Sequence, residues 1–339
     1  GLEVTYQVYA FDLSVRGAYL FDEYAFFNGT STFLEVMEFT EDSATPILVN
    51  IVNNQLARNW HLCTSFTKQS VVEHDGDATH TFICKDYQEL IDHPVLMGVV
   101  DKHTFEVSGV RFHFVLSGNN ETDLERICND LKPLCKHHLD LFGGLPEKDY
   151  WFMTLLCEDG FGGLEHRAST ALMFPRFHLP MRSETDVIPE QYQQFLSLCS
   201  HELFHAWNVK RIKPELMISP DLRSEQYMEQ LWIYEGFTSL YDDLTLARTK
   251  IINAQRYAEI LGENVTRLNR TQGRHKQTIT QKNTDANNKT NKQKHTVKQT
   301  NTQCAHQSMS NSLHGYHLGH YKQNAYHGHT PAQQTAATQ

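Results

Sequence analysis

The sequence predicts an α+β protein in three parts: a β-rich domain over residues 1–120, a mixed domain over 121–280 built around a buried helix, and a tail over 281–339 that has no core. Three observations carry this reading. Val4, Tyr6 and Val8 alternate with polar neighbours, and Val110, Phe112 and Phe114 do so again, which is the period-two pattern of half-buried strands. From Thr122 the apolar spacing becomes helical. Beyond Gln281 large apolar residues nearly vanish, Asp285 is the only acid, and Gln, Asn, Thr, Lys and His dominate. Such a composition cannot bury enough surface to offset chain entropy, so the tail is expected to be disordered.

The opening strands end at Ser117-Gly118-Asn119, a turn signal taken as the close of the first domain. A helix follows, with Leu124, Ile127, Cys128, Leu131 and Leu134 on one face, and stops in the turn from Leu141 to Pro146. Tyr150 to Cys157 reads as a strand, and Glu158-Asp159-Gly160 turns the chain into Gly162-Gly163-Leu164-Glu165, placed at a sheet edge. Gln191 to Trp207 is an amphipathic helix whose broad apolar face, from Phe195 and Leu196 to Phe204 and Trp207, marks it as buried. A second apolar stretch, Leu231 to Ser239, begins another helix.

The buried helix carries His201-Glu202-Leu203-Phe204-His205. A helix turns about 100° per residue, so the two imidazoles lie one above the other and can hold one zinc ion, with Glu202 on an adjacent face near the open coordination position. Two histidines and a carboxylate, with water in the fourth position, make a hydrolytic zinc sphere. Glu235 is the expected third ligand, because an unpaired acid among Leu231, Trp232, Ile233 and Phe237 would be expensive to bury. Glu202 is then a general base and not a ligand. With 20 histidines in the chain the five-residue motif alone is a weak signal, and a histidine pair that merely packs is the plain alternative. Asp242 and Asp243 either orient a zinc histidine through its second ring nitrogen or form a solvated acidic face.

These residues resemble the M61 glycyl aminopeptidases, gluzincins related to the M1 aminopeptidases. The run Trp207-Asn208-Val209-Lys210-Arg211-Ile212-Lys213-Pro214 after the zinc motif is more specific than the motif itself, and Leu231 to Ser239 fits as well. The resemblance extends to Phe11 to Leu20, Phe26 to Ser31, and Gly162 to Thr170. It implies a thermolysin-like zinc metallopeptidase domain behind an M61-type N-terminal β domain, one zinc ion, and proteolysis from the amino terminus of peptides that begin with Gly or Ala. It also implies that Glu165 binds the substrate ammonium, while Gly162 and Gly163 let the backbone approach the peptide like an added strand. The alternative for these three is a glycine-rich turn with a solvated acid. The Glu165 charge disfavours endopeptidase action. Packing and surface charge suffice to explain Trp207, Asn208, Lys210, Arg211 and Lys213, and no chemistry is assigned to them.

The tail departs from the family pattern. A Ser-Ser-Phe-Asp-Ala-Trp type motif and a later Tyr-Tyr-x-Lys-Gly element, whose tyrosine is implied to stabilise the tetrahedral intermediate, survive only as echoes at Asp285-Ala286, Lys289 and Lys292-Gln293. Thr284 and Asn287 stand where aromatic residues belong, and Cys304 and Ala305 where the tyrosines do, as a shifted reading frame would produce. A catalytically weak fragment that binds zinc and peptide is therefore the alternative to a working enzyme. The histidines from His314 to His329 are read as incidental composition and not as a metal site.

A net charge of -10 without a basic domain argues against nucleic acid as a partner. No apolar run reaches the length of a membrane span. Seven cysteines without a CxxC pair indicate neither a disulfide framework nor a thiolate zinc knot, so reduced thiols and a cytoplasmic location are expected. Gly1 to Tyr6 reads as a strand and not as an export signal, and the chain reads as cut from something longer. Oligomeric state does not follow from the sequence.

Overall fold

The computed structural model describes residues 2–36, 46–54, 59–182 and 188–271. The tail over 281–339, with its histidine cluster, lies outside them. The architecture is α+β, a β-rich N-terminal part followed by a mixed one.

The N-terminal part contains β1 (Ala18–Leu20), β2 (Tyr24–Phe27), β3 (Ile47–Asn53), β4 (His61–Thr64), β5 (Lys68–His74), β6 (Asp77–Cys84), a short helix α1 (Tyr87–Ile91) and β7 (Val95–Gly98). These form two antiparallel sheets, ordered β1-β2-β7-β4 and β3-β6-β5. The strand expected over Val4, Tyr6 and Val8 is not formed: residues 2–10 pair with nothing as a strand, and Leu2 is 93% exposed. The first β-bridge is at Phe11, paired with Tyr19. Alternation supplied a strand-like face, but no described strand pairs with residues 2–9.

The mixed part contains β8 (Val100–Val107), β9 (Val110–Ser117), α2 (Leu124–Phe142), β10 (Asp149–Cys157), β11 (Gly162–Glu165), β12 (Ser169–Pro175), α3 (Glu190–His205), α4 (Phe237–Arg248) and α5 (Ala254–Arg270). Its sheet has the order β11-β12-β10-β9-β8, with β10 parallel to both neighbours and the outer pairs antiparallel. The division expected at 120 therefore falls inside one unit. β8 and β9 precede it and yet share a sheet with β10, so the sheets divide between β7 and β8. The turn after β9 is real, but it leads across α2 back into the same sheet.

The helices start and stop where side chains and backbone allow. Asp123 caps α2 by accepting the Arg126 amide, and Gly143, at φ 78°, ends it in the left-handed conformation that a glycine adopts without cost. Pro189 precedes α3, which is buried along its whole second half. One face of the five-stranded sheet packs on α2 and α3 through Phe112, Phe114, Leu116 and Phe152 with Ile127, Leu131 and Phe195. The other face, through Val115, Met153, Leu155 and Ala171, shares a core with Val15, Tyr24, Phe26 and Leu96 of the N-terminal part. No described helix is long and apolar enough to cross a membrane. Cys63, Cys84, Cys128, Cys135, Cys157 and Cys199 are free thiols.

Candidate metal centre and active site

α3 presents His201 and His205 on one buried side, one turn apart. Their Nε2 atoms lie 3.1 Å from each other, and each is 3.6 Å from Oε2 of Glu235. Among the described residues these three alone form a cluster able to hold a metal ion. The other ring nitrogens are already engaged. His201 Nδ1 faces Oδ2 of Asp242 at 3.0 Å, and His205 Nδ1 faces the backbone carbonyl of Asn208 at 2.9 Å. Both partners only accept, so each Nδ1 carries a proton. The neighbouring carboxylates raise both imidazole pKa values against the effect of burial, and only once deprotonated does each ring turn a lone pair on Nε2 toward the other ring and toward Glu235. Three lone-pair donors aimed at one another repel unless a cation lies between them. Zinc bonds of 2.0–2.1 Å in tetrahedral geometry put neighbouring ligand atoms about 3.3 Å apart, so the donor set fits such an ion.

Glu235 reaches this point from a π-helical turn, Trp232–Gly236, that runs into α4. The expectation that its neighbours are buried is not met, since Trp232 and Phe237 are 41% and 45% exposed. The carboxylate itself is largely buried, and Oε2 has no hydrogen-bond partner. Burial alone would raise its pKa, but the two imidazoles hold it well below the usual carboxylate range. Of the two readings left open for Asp242 and Asp243, the buried ones hold. Asp242 orients His201, while Asp243 accepts the Ser197 hydroxyl at 2.8 Å.

Glu202 is 4% exposed, with Oε2 unpartnered. Burial, opposed by His201 and His205 and reinforced by the carboxylates of Glu165 and Glu235, raises its pKa to about 7. Its seat is cut by Gly163: a Cβ there would lie 2.0 Å from Glu202 Oε1 and 2.4 Å from Cδ. The sequence reading gave Gly163 to the substrate backbone, whereas here its missing side chain makes room for Glu202. Gly162, Gly163 and Glu165 lie on β11, the edge strand of the sheet, which packs against α3. Glu165 is half-buried at the end of that strand.

The run after the zinc motif, given no chemistry from sequence, braces the cluster. Asn208 accepts from His205 through its carbonyl, and its side-chain amide donates to the carbonyl of Tyr234 at 3.1 Å and of Ile233 at 3.4 Å. It thereby ties the end of α3 to the turn that carries Glu235. Arg211 donates to Glu147 and to the Ala206 and Arg167 carbonyls, and the Trp207 ring nitrogen donates to the Gly144 carbonyl at 3.0 Å. A polar residue directly after a buried helix was the available signal.

The M61 glycyl aminopeptidase family model matches residues 194–309, and the peptidase M61 N-terminal domain model matches residues 1–99. The chain belongs to the M61 family. The N-terminal match ends where the sheets divide, and the other runs past residue 280, where the sequence reading placed the tail. The M61 chain is similar to the crystal structure of an aminopeptidase N family protein from Idiomarina loihiensis, with 39% identity and a TM-score of 0.73 over 78% of this chain and 44% of that one. An M1 zinc metallopeptidase from Deinococcus radiodurans is similar at 14% identity and a TM-score of 0.48, over 78% of this chain and 55% of that one. The M61 chain thus spans less than two thirds of either structure. No curated protein matches it.

Proposed function

We propose that this M61 chain is a zinc-dependent aminopeptidase that removes small N-terminal residues, Gly or Ala, from peptides. The observation that carries the reading is the cluster in which two Nε2 atoms converge with an unpartnered Glu235 oxygen. His201, His205 and Glu235 hold one zinc ion. Bound there, zinc supplies a Lewis acid that polarises the scissile carbonyl and acidifies water.

Glu202 takes the proton of the attacking water and passes it to the leaving amine, a task suited to a carboxylate whose pKa is raised to about 7. Gly163 lets that carboxylate lie against β11, beside the strand that receives the peptide. The β11 edge pairs with the substrate backbone, and Glu165 pairs with its free ammonium. Asp242 and the Asn208 carbonyl fix the two histidine tautomers, so that both Nε2 atoms remain donors to the ion.

The test compares a glycyl substrate with its N-acetylated form in the zinc-loaded chain and in Glu165→Gln. The free amine is expected to be cleaved faster, with the preference lost in the variant. A charge-assisted hydrogen bond of about 1.5 to 3 kcal/mol corresponds to roughly ten- to hundredfold. Equal cleavage of both substrates by the unmutated chain would favour an endopeptidase. Stoichiometric zinc uptake without cleavage of either would leave a zinc- and peptide-binding protein.

A further inference from the structure

The N-terminal domain meets the β11–β12 connection and the segment after α3 through Asp92. Asp92 directly follows α1, and its carboxylate gathers three donors from the other domain. The Arg167 amide donates to Oδ2 at 3.1 Å, the Lys210 ammonium lies 2.5 Å from Oδ1, and His166 Nδ1 lies 3.4 Å from Oδ1. The Asp92 side chain is 15% exposed and that of His166 is 5% exposed. A second strand of contacts runs beside it, from His93 Nδ1 to Ser65 Oγ at 2.7 Å and on to Ser169 Oγ at 3.1 Å. Burial alone would raise the pKa of Asp92, but Lys210 and His166 hold it well below the usual range.

The three donors come from two segments beside the proposed site. His166 and Arg167 immediately follow Glu165 in the connection between β11 and β12. Lys210 lies two residues beyond Asn208, which braces His205 and the turn carrying Glu235. One carboxylate therefore fixes the distance between the strand end bearing Glu165 and the loop leaving the zinc helix. The N-terminal domain holds Asp92 in place with a motif that the catalytic reading does not use. Asn28 caps the turn Gly29–Ser31, and Gly29 packs so closely on α1 that a Cβ there would lie 2.7 Å from the Ile91 Cα and 3.2 Å from the Leu90 carbonyl.

We infer that Asp92 is a positioning residue for recognition of the substrate amino terminus, setting Glu165 at its working separation from the metal site. It touches no reacting atom and acts through the β11–β12 connection and Lys210. The inference rests on the aminopeptidase reading, since it is Glu165 that Asp92 places.

The experiment uses the zinc-loaded Glu202→Gln chain, which is expected to bind peptide without cleaving it, and titrates it calorimetrically with the peptide Gly-Ala-Phe and with N-acetyl-Gly-Ala-Phe. The background is expected to prefer the free amine by about tenfold or more. Adding Asp92→Asn, which keeps the shape and an acceptor but removes the charge, is expected to bring the two affinities to within about threefold at unchanged zinc content. Lys210→Gln approaches the same cluster from the other side and is expected to do the same, while Lys210→Arg keeps the preference. A merely structural role would weaken both peptides equally and leave their ratio intact, in either variant, which overturns the inference. If the Glu202→Gln background does not discriminate, the aminopeptidase reading fails and this one falls with it. If the background discriminates and both variants still do, only the present inference fails.

Discussion

A methyl group at position 163 would occupy the space of the Glu202 carboxylate. Glu202 is 4% exposed where α3 meets β11, so it has little room to step aside from the position proposed for it. Gly163→Ala is expected to retain stoichiometric zinc while kcat falls by about a hundredfold, because an ångström of misplacement at a proton-transferring group costs on that order. Zinc analysis beside a progress curve checks it, and full activity would show that Glu202 works from elsewhere. His201, Glu202 and His205 were legible in the sequence because their relation is local, fixed by the helical repeat within five residues. Glu235 was singled out as the isolated acid of an apolar stretch, and the structure brings it to the two histidines, but Trp232 and Phe237 turn to solvent. Asn208, Asp242 and Asp92 act on partners that only the tertiary fold supplies, and their residue types also suit a surface.

Between elements, the contact of α3 with α4 holds two adjacent acids, and they behave differently. Asp242 is engaged by His201, whereas Asp243 accepts the Ser197 hydroxyl, and burial with the neighbouring Asp242 raises its pKa from 3.8 to about 7. The folded chain then keeps a proton that the unfolded chain gives up. Stability conferred by that difference is present below the unfolded value and is lost as pH rises toward 7. Asp243→Asn removes the cost of ionisation and is expected to stabilise the chain by roughly 2 kcal/mol near pH 8 and by little near pH 4.5. Thermal melts at the two pH values check this, and an equal gain at both would place the effect elsewhere. The sequence showed most of these elements, with α2, β9, β10 and α3 close to their expected bounds. It misread residues 2–10 and the division at 120, because period-two alternation and turn signals are local while strand pairing is not.

Across the whole molecule, β9 and β10 lie between two cores, one shared with α2 and α3 and one shared with the N-terminal sheet. Their amides are covered on both faces and paired on both sides. Among the described residues, hydrogen exchange is expected to be far slower there than over residues 2–9, with protection factors several orders of magnitude apart. Exchange from β9 and β10 as fast as from residues 2–9 would contradict the double-sided burial.

The core shared between the sheets has a further consequence for how such a chain can evolve. Tyr24, Phe26 and Leu96 on one side fill the same space as Val115, Met153, Leu155 and Ala171 on the other. A change of volume on either side leaves a void or a clash on its opposite number. The N-terminal sheet and the five-stranded sheet it packs on cannot then be exchanged freely between relatives. They are expected to drift as a pair, each larger residue in one answered by a smaller one in the other, so that coordinated variation across this seam, more than the metal motif, separates one lineage's chains from another's.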